Sequence, residues 1–298
     1  MNPISSHFFS APDGLRLHAL TAGPRDAGRL PAVCLPGLAR TAEDFRELID
    51  ALAFDARRPR RVIALDSRGR GKSARDPDAK NYSVPVELGD VLALLDVHGL
   101  ERALFIGTSR GGILTMAMGA ARPRAVAGAI LNDIGPVLEM AGLMRIKGYV
   151  GRIPQPRDFN DAARLLRTVM GNQFPVWDDA TWDRYARLTW EETERGLAAR
   201  YDPALSQALA NVDPGEPAPS MWPQFEALAG APIMVVRGEH SDLLSRATVE
   251  AMRKRRKDLE TIEIAGQGHA PLLSGDDTLG AIREFAERCD ASAVVTGE

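Results

Sequence analysis

Short apolar runs alternate along most of the chain with longer segments of helical length. The runs have the size and the aliphatic content of buried strands. Strands are predicted near Ala32–Leu35, Arg61–Leu65, Ala103–Ile106, Ala127–Leu131, Pro232–Gly238 and Glu260–Ile264. Helices are predicted near Ala42–Leu52, Val86–Val97 and Gly111–Ala121, and an N-terminal hairpin is predicted to turn at Asp13-Gly14. This order favours an α/β fold with a mostly parallel central sheet flanked by helices.

The alternation stops after Pro136 and resumes at Ile233. Between them, Asp161–Met170 and Thr181–Glu192 carry apolar residues at helical spacing. We therefore predict a helical insertion that covers the sheet edge after the sixth strand and acts as a cap. The predicted boundaries are 1–136 for the first part of the core, 137–228 for the cap and 229–298 for the second part of the core.

A G-x-S-x-G motif, Gly107 to Gly111, lies between the apolar strand Ala103–Ile106 and an apolar helix. A serine in such a strand-turn-helix context lies on a tight turn that holds its hydroxyl at the end of the sheet. The turn is crowded, which explains a glycine on either side of it. Ser109 is therefore the predicted nucleophile.

A serine nucleophile needs a base, and the chain has only five histidines. His269 ends a glycine-rich loop directly after the strand Glu260–Ile264, where an imidazole can lie over the sheet edge. Three of the others are in less suitable places: His7 in the N-terminal tail, His18 inside a predicted strand and His98 at the end of a predicted helix. His240 follows a strand end and is a weak candidate. His269 is the predicted base.

The base needs a carboxylate to orient it. Asp242 follows the strand Pro232–Gly238 and puts the three residues in the chain order Ser, Asp, His, so it is the favoured acid. Asp133 follows the strand Ala127–Leu131 and is the serious rival. Glu239 is a more distant third.

Two backbone N–H groups must stabilise the oxyanion that forms during attack. The amide of Arg110, at the start of the helix after Ser109, supplies one. Pro36-Gly37 turns the chain after the strand Ala32–Leu35, so the amide of Leu38 is predicted to supply the other.

Composition and charge are those of an ordinary globular enzyme. The 298 residues carry a net charge of −3, which gives no reason to expect nucleic acid as a partner. Gly71-Lys72-Ser73 resembles the end of a phosphate-binding loop, but Asp66 stands where the first glycine is required. Neither a metal motif nor a cofactor motif is present, so we expect no metal and no cofactor.

We expect neither a signal peptide nor a membrane span. The start, Met1 to Ser6, has neither the charge nor the apolar run of a signal peptide, and no apolar stretch approaches the roughly 20 residues of a membrane span. Cys34 and Cys289 do not read as a disulfide framework. We expect a cytoplasmic protein that does not bind membranes. The sequence does not indicate its oligomeric state.

Five segments together resemble the serine-dependent members of the α/β-hydrolase superfamily, over essentially the whole chain. They are Leu35–Leu38, Asp66–Ser73, the Ser109 turn, the Asp242 loop and the Gly268-His269 loop. The family commonly has His-Gly where this chain has Pro36-Gly37. The resemblance implies hydrolysis of a carboxylic ester through an acyl-enzyme on Ser109. Lactone hydrolysis, carbon–carbon cleavage and perhydrolysis use the same triad and remain open, as does a non-catalytic ligand receptor on this fold.

The predicted cap gives the only indication of the substrate. It contains all four tryptophans, Trp177 and Trp182 among them. A lid usually supplies apolar walls, so we expect a small to medium, mainly apolar substrate, with Trp177 and Trp182 as weak candidates for contact. Arg40 and Arg110 could hold a substrate carboxylate, although a structural ion pair is the favoured role for each.

Overall fold

A computed structural model describes residues 4–295, with side chains described as far as 293. Residues 1–3, at the start of the segment examined for a signal peptide, lie outside this range. So do residues 296–298, the last three of the predicted second part of the core. Ten strands are present in the described range: β1 (Ser5–Ser10), β2 (Arg16–Ala22), β3 (Ala32–Leu35), β4 (Val62–Asp66), β5 (Ala103–Thr108), β6 (Val126–Asn132), β7 (Trp190–Thr193), β8 (Gly196–Ala199), β9 (Ile233–Gly238) and β10 (Glu260–Ile264). The α-helices there are α1 (Arg46–Ala53), α2 (Val84–His98), α3 (Arg110–Ala121), α4 (Met140–Tyr149), α5 (Phe159–Met170), α6 (Asp179–Thr189), α7 (Trp222–Glu226), α8 (Arg246–Arg255) and α9 (Asp276–Val295).

Eight strands form one sheet in the order β1-β2-β4-β3-β5-β6-β9-β10. The predicted N-terminal hairpin is confirmed: β1 pairs antiparallel with β2, and β2 pairs antiparallel with β4. From β4 to β10 every neighbouring pair is parallel. The carboxyl ends of these parallel strands meet at one edge, which is where α/β sheets bind ligands.

The two faces of this sheet bury two separate apolar clusters, because successive residues of a strand point to opposite sides. Val33 and Leu35 of β3 pack with α2 and α3 on one face. Ala32 and Cys34 of the same strand pack with α1 and α9 on the other. Burial on both sides explains why these strands are continuously apolar rather than alternating.

Residues between β6 and β9 form an insertion, since these two strands are neighbours in the sheet. It contains α4 to α7 and an antiparallel hairpin of β7 and β8. The helix predicted over Thr181–Glu192 therefore ends earlier, at Thr189, and the chain continues as a strand from Trp190. Helical spacing of apolar residues did not indicate this change. The insertion has an apolar cluster of its own, built mainly from α5, α6 and the hairpin.

Candidate active site

Ser109 lies between β5 and α3 with φ 50° and ψ −111°, in the left-handed region that a non-glycine residue rarely adopts. Its amide donates to the carbonyl of Asn132 at the end of β6 (2.9 Å). A side chain on Gly107 would collide with the backbone of Gly111, and one on Gly111 with the backbone of Leu35. The strained serine between two obligatory glycines is the geometry expected of a nucleophile at the end of a sheet.

His269 follows β10 and lies over the same sheet edge. Its Nε2 is 2.8 Å from the hydroxyl oxygen of Ser109. The side-chain oxygen of Gln173, from the insertion, accepts a hydrogen bond from the backbone amide of His269 (3.1 Å). The imidazole is buried, so its contact with Ser109 is largely screened from solvent. The structure thus joins the two residues that the sequence singled out as nucleophile and base.

Asp133 supplies the carboxylate beside this histidine. Its Oδ2 lies 2.8 Å from Nδ1 of His269 and also accepts a hydrogen bond of 2.5 Å from the hydroxyl of Ser241. Its Oδ1 accepts a hydrogen bond from the amide of Gly238 (2.8 Å). The side chain has no solvent exposure. These donors hold the two carboxylate oxygens in place.

The choice of Asp242 as the partner of His269 was wrong. Both carboxylate oxygens of Asp242 accept hydrogen bonds from Arg145, at 2.6 and 2.7 Å. Asp242 lies beyond a turn in which the amide of Ser241 donates to Gly238, and this turn carries it away from the sheet edge towards α4. The third candidate, Glu239, accepts a hydrogen bond from the amide of Gly266.

Strand order explains why Asp133 lies beside His269. β6, which ends just before Asp133, lies directly between β5, which leads to Ser109, and β9. The ladder to β9 continues through the amide of Asp133, which donates to Val236. Asp133 also has a positive φ of 54°. The only signal for Asp133 in the sequence was its position immediately after a strand. That β5 and β6 are adjacent strands in the sheet could not be predicted from the sequence.

The amides predicted to stabilise the oxyanion lie close to Ser109. Arg110 is the first residue of α3, and the first amides of a helix have no acceptor within the helix. Leu38 lines the same cavity as Ser109, and the space where Gly37 would carry a Cβ lies 3.8 Å from Cβ of Ser109. The carbonyl of Gly37 accepts the amide of Arg40, which fixes the turn.

A buried ion-pair network supports both of these backbone segments. Glu87 binds Arg70 and Arg110 at 2.7 Å each. Arg70 in turn donates to the carbonyl of Leu38 (2.7 Å). Burial would raise the pKa of Glu87, but Arg70 and Arg110 outweigh it and lower the pKa. The Arg110 side chain is therefore held in a structural ion pair, which was the favoured role.

Ser109 and His269 open into a cavity of about 90 Å3 between the sheet edge and the insertion. Much of its wall is aliphatic: Leu38, Ile146, Val150, Ile153, Leu166 and Leu272 are examples. Tyr149, Tyr185 and Tyr201 add three phenol side chains. The space is large enough for several water molecules and therefore for a small organic group.

Comparison with known proteins agrees with this geometry. The alpha/beta hydrolase fold family matches residues 31–276. The chain belongs to this family. A solved α/β hydrolase from Novosphingobium aromaticivorans is 38% identical, with a TM-score of 0.88 and coverage of 97% of this chain and 99% of its own. The 3-hydroxybutyrate-oligomer hydrolase of Cupriavidus necator is 32% identical over 278 residues, 88% of this chain and 89% of its own.

Epoxide hydrolase B of Mycobacterium tuberculosis is 32% identical over 232 residues, 76% of this chain and 62% of its own. Each of these relatives is named a hydrolase, and this chain is a hydrolase of the α/β-hydrolase fold.

Trp177 and Trp182 lie behind the cavity wall of this hydrolase, and the ring of Trp177 is 5.1 Å from that of the wall residue Tyr185. They are buried in the apolar cluster of the insertion, where Trp177 stacks on Phe174 at 4.0 Å and meets Trp182 edge-on at 4.8 Å. Neither belongs to the cavity wall. The structure does not bring them to the cavity, contrary to the expectation from the sequence, because the insertion needs large side chains to build its own core. Aromatic contact in the cavity falls to the tyrosines instead.

Arg40 does line the cavity, but its hydrogen bonds are used within the protein. It forms a two-pronged pair with Asp44 (2.6 and 2.7 Å) and donates to the hydroxyl of Thr189 (2.7 Å). Its guanidinium also lies 4.0 Å from the centre of the Tyr185 ring. The side chain therefore connects the loop after β3 to α6, and the structural role is the one these contacts support.

A second serine–histidine–aspartate chain of contacts lies elsewhere in the structure and is formed by Ser6, His18 and Asp66. His18 lies 2.7 Å from Asp66 through Nδ1 and 2.9 Å from the Ser6 hydroxyl through Nε2. Ser6 is on the exposed edge strand β1, and the three residues do not line the cavity. Asp66 also accepts the amides of Ala42 and Lys72, as a carboxylate that holds loops does.

Two kinds of feature are absent from residues 4–295. No group of three or more potential ligands there could hold a metal ion. Nor does any helix in that range have the length and apolar character needed to cross a membrane.

Proposed function

We propose that this hydrolase cleaves carboxylic esters through an acyl-enzyme on Ser109, with His269 as general base and Asp133 as the acid that orients it. The observation that carries the proposal is the position of His269, 2.8 Å from the Ser109 hydroxyl on one side and 2.8 Å from the Asp133 carboxylate on the other. A serine activated in this way is a nucleophile for acyl transfer.

In the first half of the reaction, Nε2 of His269 takes the proton of the Ser109 hydroxyl as its oxygen attacks the ester carbonyl. The amides of Leu38 and Arg110 then donate to the negative oxygen of the tetrahedral intermediate. Collapse of the intermediate breaks the ester bond, and His269 gives the proton to the departing alcohol. Asp133 stabilises the imidazolium in between.

In the second half, His269 takes a proton from water, and the hydroxide attacks the acyl carbon of the Ser109 ester. The second tetrahedral intermediate occupies the same pair of amides. Its collapse releases the carboxylic acid and returns the proton to Ser109. Each half thus ends with His269 neutral and ready for the next proton transfer.

The cavity supports a small to medium, mainly apolar acyl or alcohol group, because aliphatic side chains form much of its wall. The Cupriavidus necator relative is named for oligomers of 3-hydroxybutyrate, whose units are joined by ester bonds. This likeness supports an ester as the bond cleaved. Epoxide opening is not proposed, since Ser109 stands where epoxide hydrolases of this fold use aspartate.

The test is hydrolysis of short-chain p-nitrophenyl esters by the purified protein. Ser109→Ala should lower kcat by at least ~10³-fold, since it removes the covalent route. A fluorophosphonate probe should label the wild type on Ser109, as located by peptide mass spectrometry. Ser6→Ala is the matched control, because Ser6 also faces a histidine paired with an aspartate, and it should keep both activity and labelling.

Labelling on Ser6, or more than a tenth of wild-type activity in Ser109→Ala, would overturn the assignment. A parallel panel of lactones and diketones decides whether esters are the preferred substrates. A protein that binds ligands but neither labels nor turns over any member of the panel would be a receptor on this fold.

A further inference from the structure

The carboxylate of Asp242 and the guanidinium of Arg145 form an ion pair beside α4, the helix whose residues Ile146 and Tyr149 line the active-site cavity. Arg145 donates through Nε and Nη2 to the two oxygens of Asp242. The loop that carries Asp242 is also joined to α4 through the backbone, since the amide of Gly142 donates to the carbonyl of Asp242 (3.0 Å). Arg145 is therefore held in one orientation by the loop after β9.

The remaining nitrogen of this guanidinium, Nη1, is buried and has no hydrogen-bond partner in the described part of the chain. Tyr149 follows Arg145 by one helical turn in α4, and residues so spaced lie on the same face of a helix. A phenol oxygen can accept a hydrogen bond from a guanidinium and at the same time donate its own proton elsewhere. Burial lowers the pKa of Arg145, but Asp242 and Tyr149 outweigh it and raise the pKa, so the phenol of Tyr149 lies close to this guanidinium. Tyr149 also lines the cavity.

Tyr149 stays a donor at neutral pH. Burial raises its pKa to about 12, although Arg145 and Arg40 act in the opposite direction. Both guanidiniums near this phenol are balanced by carboxylates, Arg145 by Asp242 and Arg40 by Asp44. The surroundings carry hydrogen-bond donors without excess positive charge, and they therefore suit an uncharged oxygen rather than a carboxylate.

We infer that Tyr149, positioned by Arg145 and Asp242, donates a hydrogen bond to a second uncharged oxygen of the substrate. The enzyme then favours esters whose acyl chain carries an ether, carbonyl or hydroxyl oxygen beyond the scissile carbonyl. The inference rests on the proposed ester hydrolysis and adds a substrate class to it. Arg145 acts here as a positioning residue, because it reaches the substrate only through Tyr149.

The experiment compares p-nitrophenyl pentanoate with p-nitrophenyl 3-methoxypropanoate and p-nitrophenyl 4-oxopentanoate. The acyl chains have nearly the same size and differ in one oxygen. We measure the ratio of kcat/KM for each oxygenated ester to that for the pentanoate. Tyr149→Phe should lower this ratio by about 5- to 10-fold for at least one oxygenated ester, the effect of one lost hydrogen bond.

Tyr82→Phe is the matched control, since Tyr82 is a buried phenol outside the cavity wall that bonds to Asp202. It should leave the ratio unchanged. Arg145→Lys keeps a positive charge for Asp242 but lacks the second arm of the guanidinium, so it should lower the ratio as well. In a protein that already carries Tyr149→Phe, adding Arg145→Lys should not lower the kcat/KM ratio any further.

A ratio that Tyr149→Phe changes by less than about twofold for both oxygenated esters would overturn the inference. So would a further drop caused by Arg145→Lys in that background. Thermal unfolding of each variant shows whether it is folded, and Arg145→Lys carries the test if Tyr149→Phe is not. Failure of the proposed function is a separate result, because then the wild type would hydrolyse none of the three esters.

Discussion

Asp133 and His269 are 136 positions apart in the chain, and their side chains meet at 2.8 Å. The carboxylate is fully buried and is held by two more donors, the Ser241 hydroxyl and the Gly238 amide. Both come from the end of β9 and the loop that follows. The acid predicted from the sequence, Asp242, lies in the loop after β9. In the structure this loop instead binds and orients Asp133, which follows β6.

The two aspartates should differ sharply in their effect on turnover. Asp133→Asn should lower kcat by at least ~10³-fold, because an amide neither stabilises the imidazolium nor enforces the tautomer of His269. Asp242→Asn should lower kcat by less than about tenfold, since Asp242 binds Arg145 instead. Steady-state kinetics on one ester, with thermal unfolding of each variant, makes the comparison. A larger loss for Asp242→Asn at equal stability would contradict the assignment.

Arg40 should matter for stability more than for substrate affinity. Arg40→Gln leaves Asp44 without its partner in a largely buried setting, which should cost about 3 kcal/mol of unfolding free energy. Urea unfolding measures this loss. Asp44→Asn in the same background should recover part of it, because the uncompensated charge is then gone. An Arg40→Gln protein of unchanged stability but greatly raised KM would show instead that Arg40 binds substrate.

Tryptophan emission should respond weakly to ligand. All four tryptophans lie in the described insertion, and none belongs to the cavity wall. A non-turnover ester bound to Ser109→Ala should leave the emission maximum unchanged. Binding is verified independently by calorimetry. A clear shift at saturation would mean that the insertion rearranges around the ligand, as closing lids do.

Trp182 should instead contribute to stability. Its ring is buried against Trp177, so Trp182→Ala should lower the unfolding free energy by about 3 to 5 kcal/mol through the cavity it leaves. Trp182→Phe, which keeps an aromatic ring, should cost less. Chemical denaturation followed by circular dichroism measures both variants. If both variants lost almost no unfolding free energy, the packing of Trp182 described above would be contradicted.

His98 should make the protein less stable as the pH falls. Burial and the adjacent Arg61, 2.8 Å from its Nδ1, lower the pKa of His98 to about 4. A histidine of the unfolded chain titrates near 6.5, so between about pH 6.5 and 4 the unfolded state binds a proton that the folded state does not. Stability from this group is therefore present above pH 6.5 and is lost as the pH falls to about 4.

His98→Asn removes this titration and keeps a polar side chain at the end of α2. The Tm of the wild type should fall more steeply than that of His98→Asn between pH 6.5 and 4. The carboxylates of the protein titrate in both the wild type and the variant, so the effect of His98 is the difference between their two curves of Tm against pH. Parallel curves would mean that His98 takes up its proton equally in both states.

What the sequence by itself determined were the features with a local physical cause. Continuous apolar runs marked the strands of a parallel sheet, because such strands are buried on both faces. The glycines around Ser109 marked a crowded turn, and the loop after Glu260–Ile264 marked His269. Each of these depends on neighbours a few positions away in the chain.

Only the tertiary structure decided between Asp133 and Asp242. Each follows an apolar strand, and the decision depends on strand order and on the turn after Gly238, which directs Asp242 to Arg145. The contact of Arg40 with Thr189 was hidden in the same way, since Thr189 belongs to the insertion, 149 positions along the chain. Partners brought together by folding leave no periodic signal in the sequence, because no local regularity sets their separation along the chain.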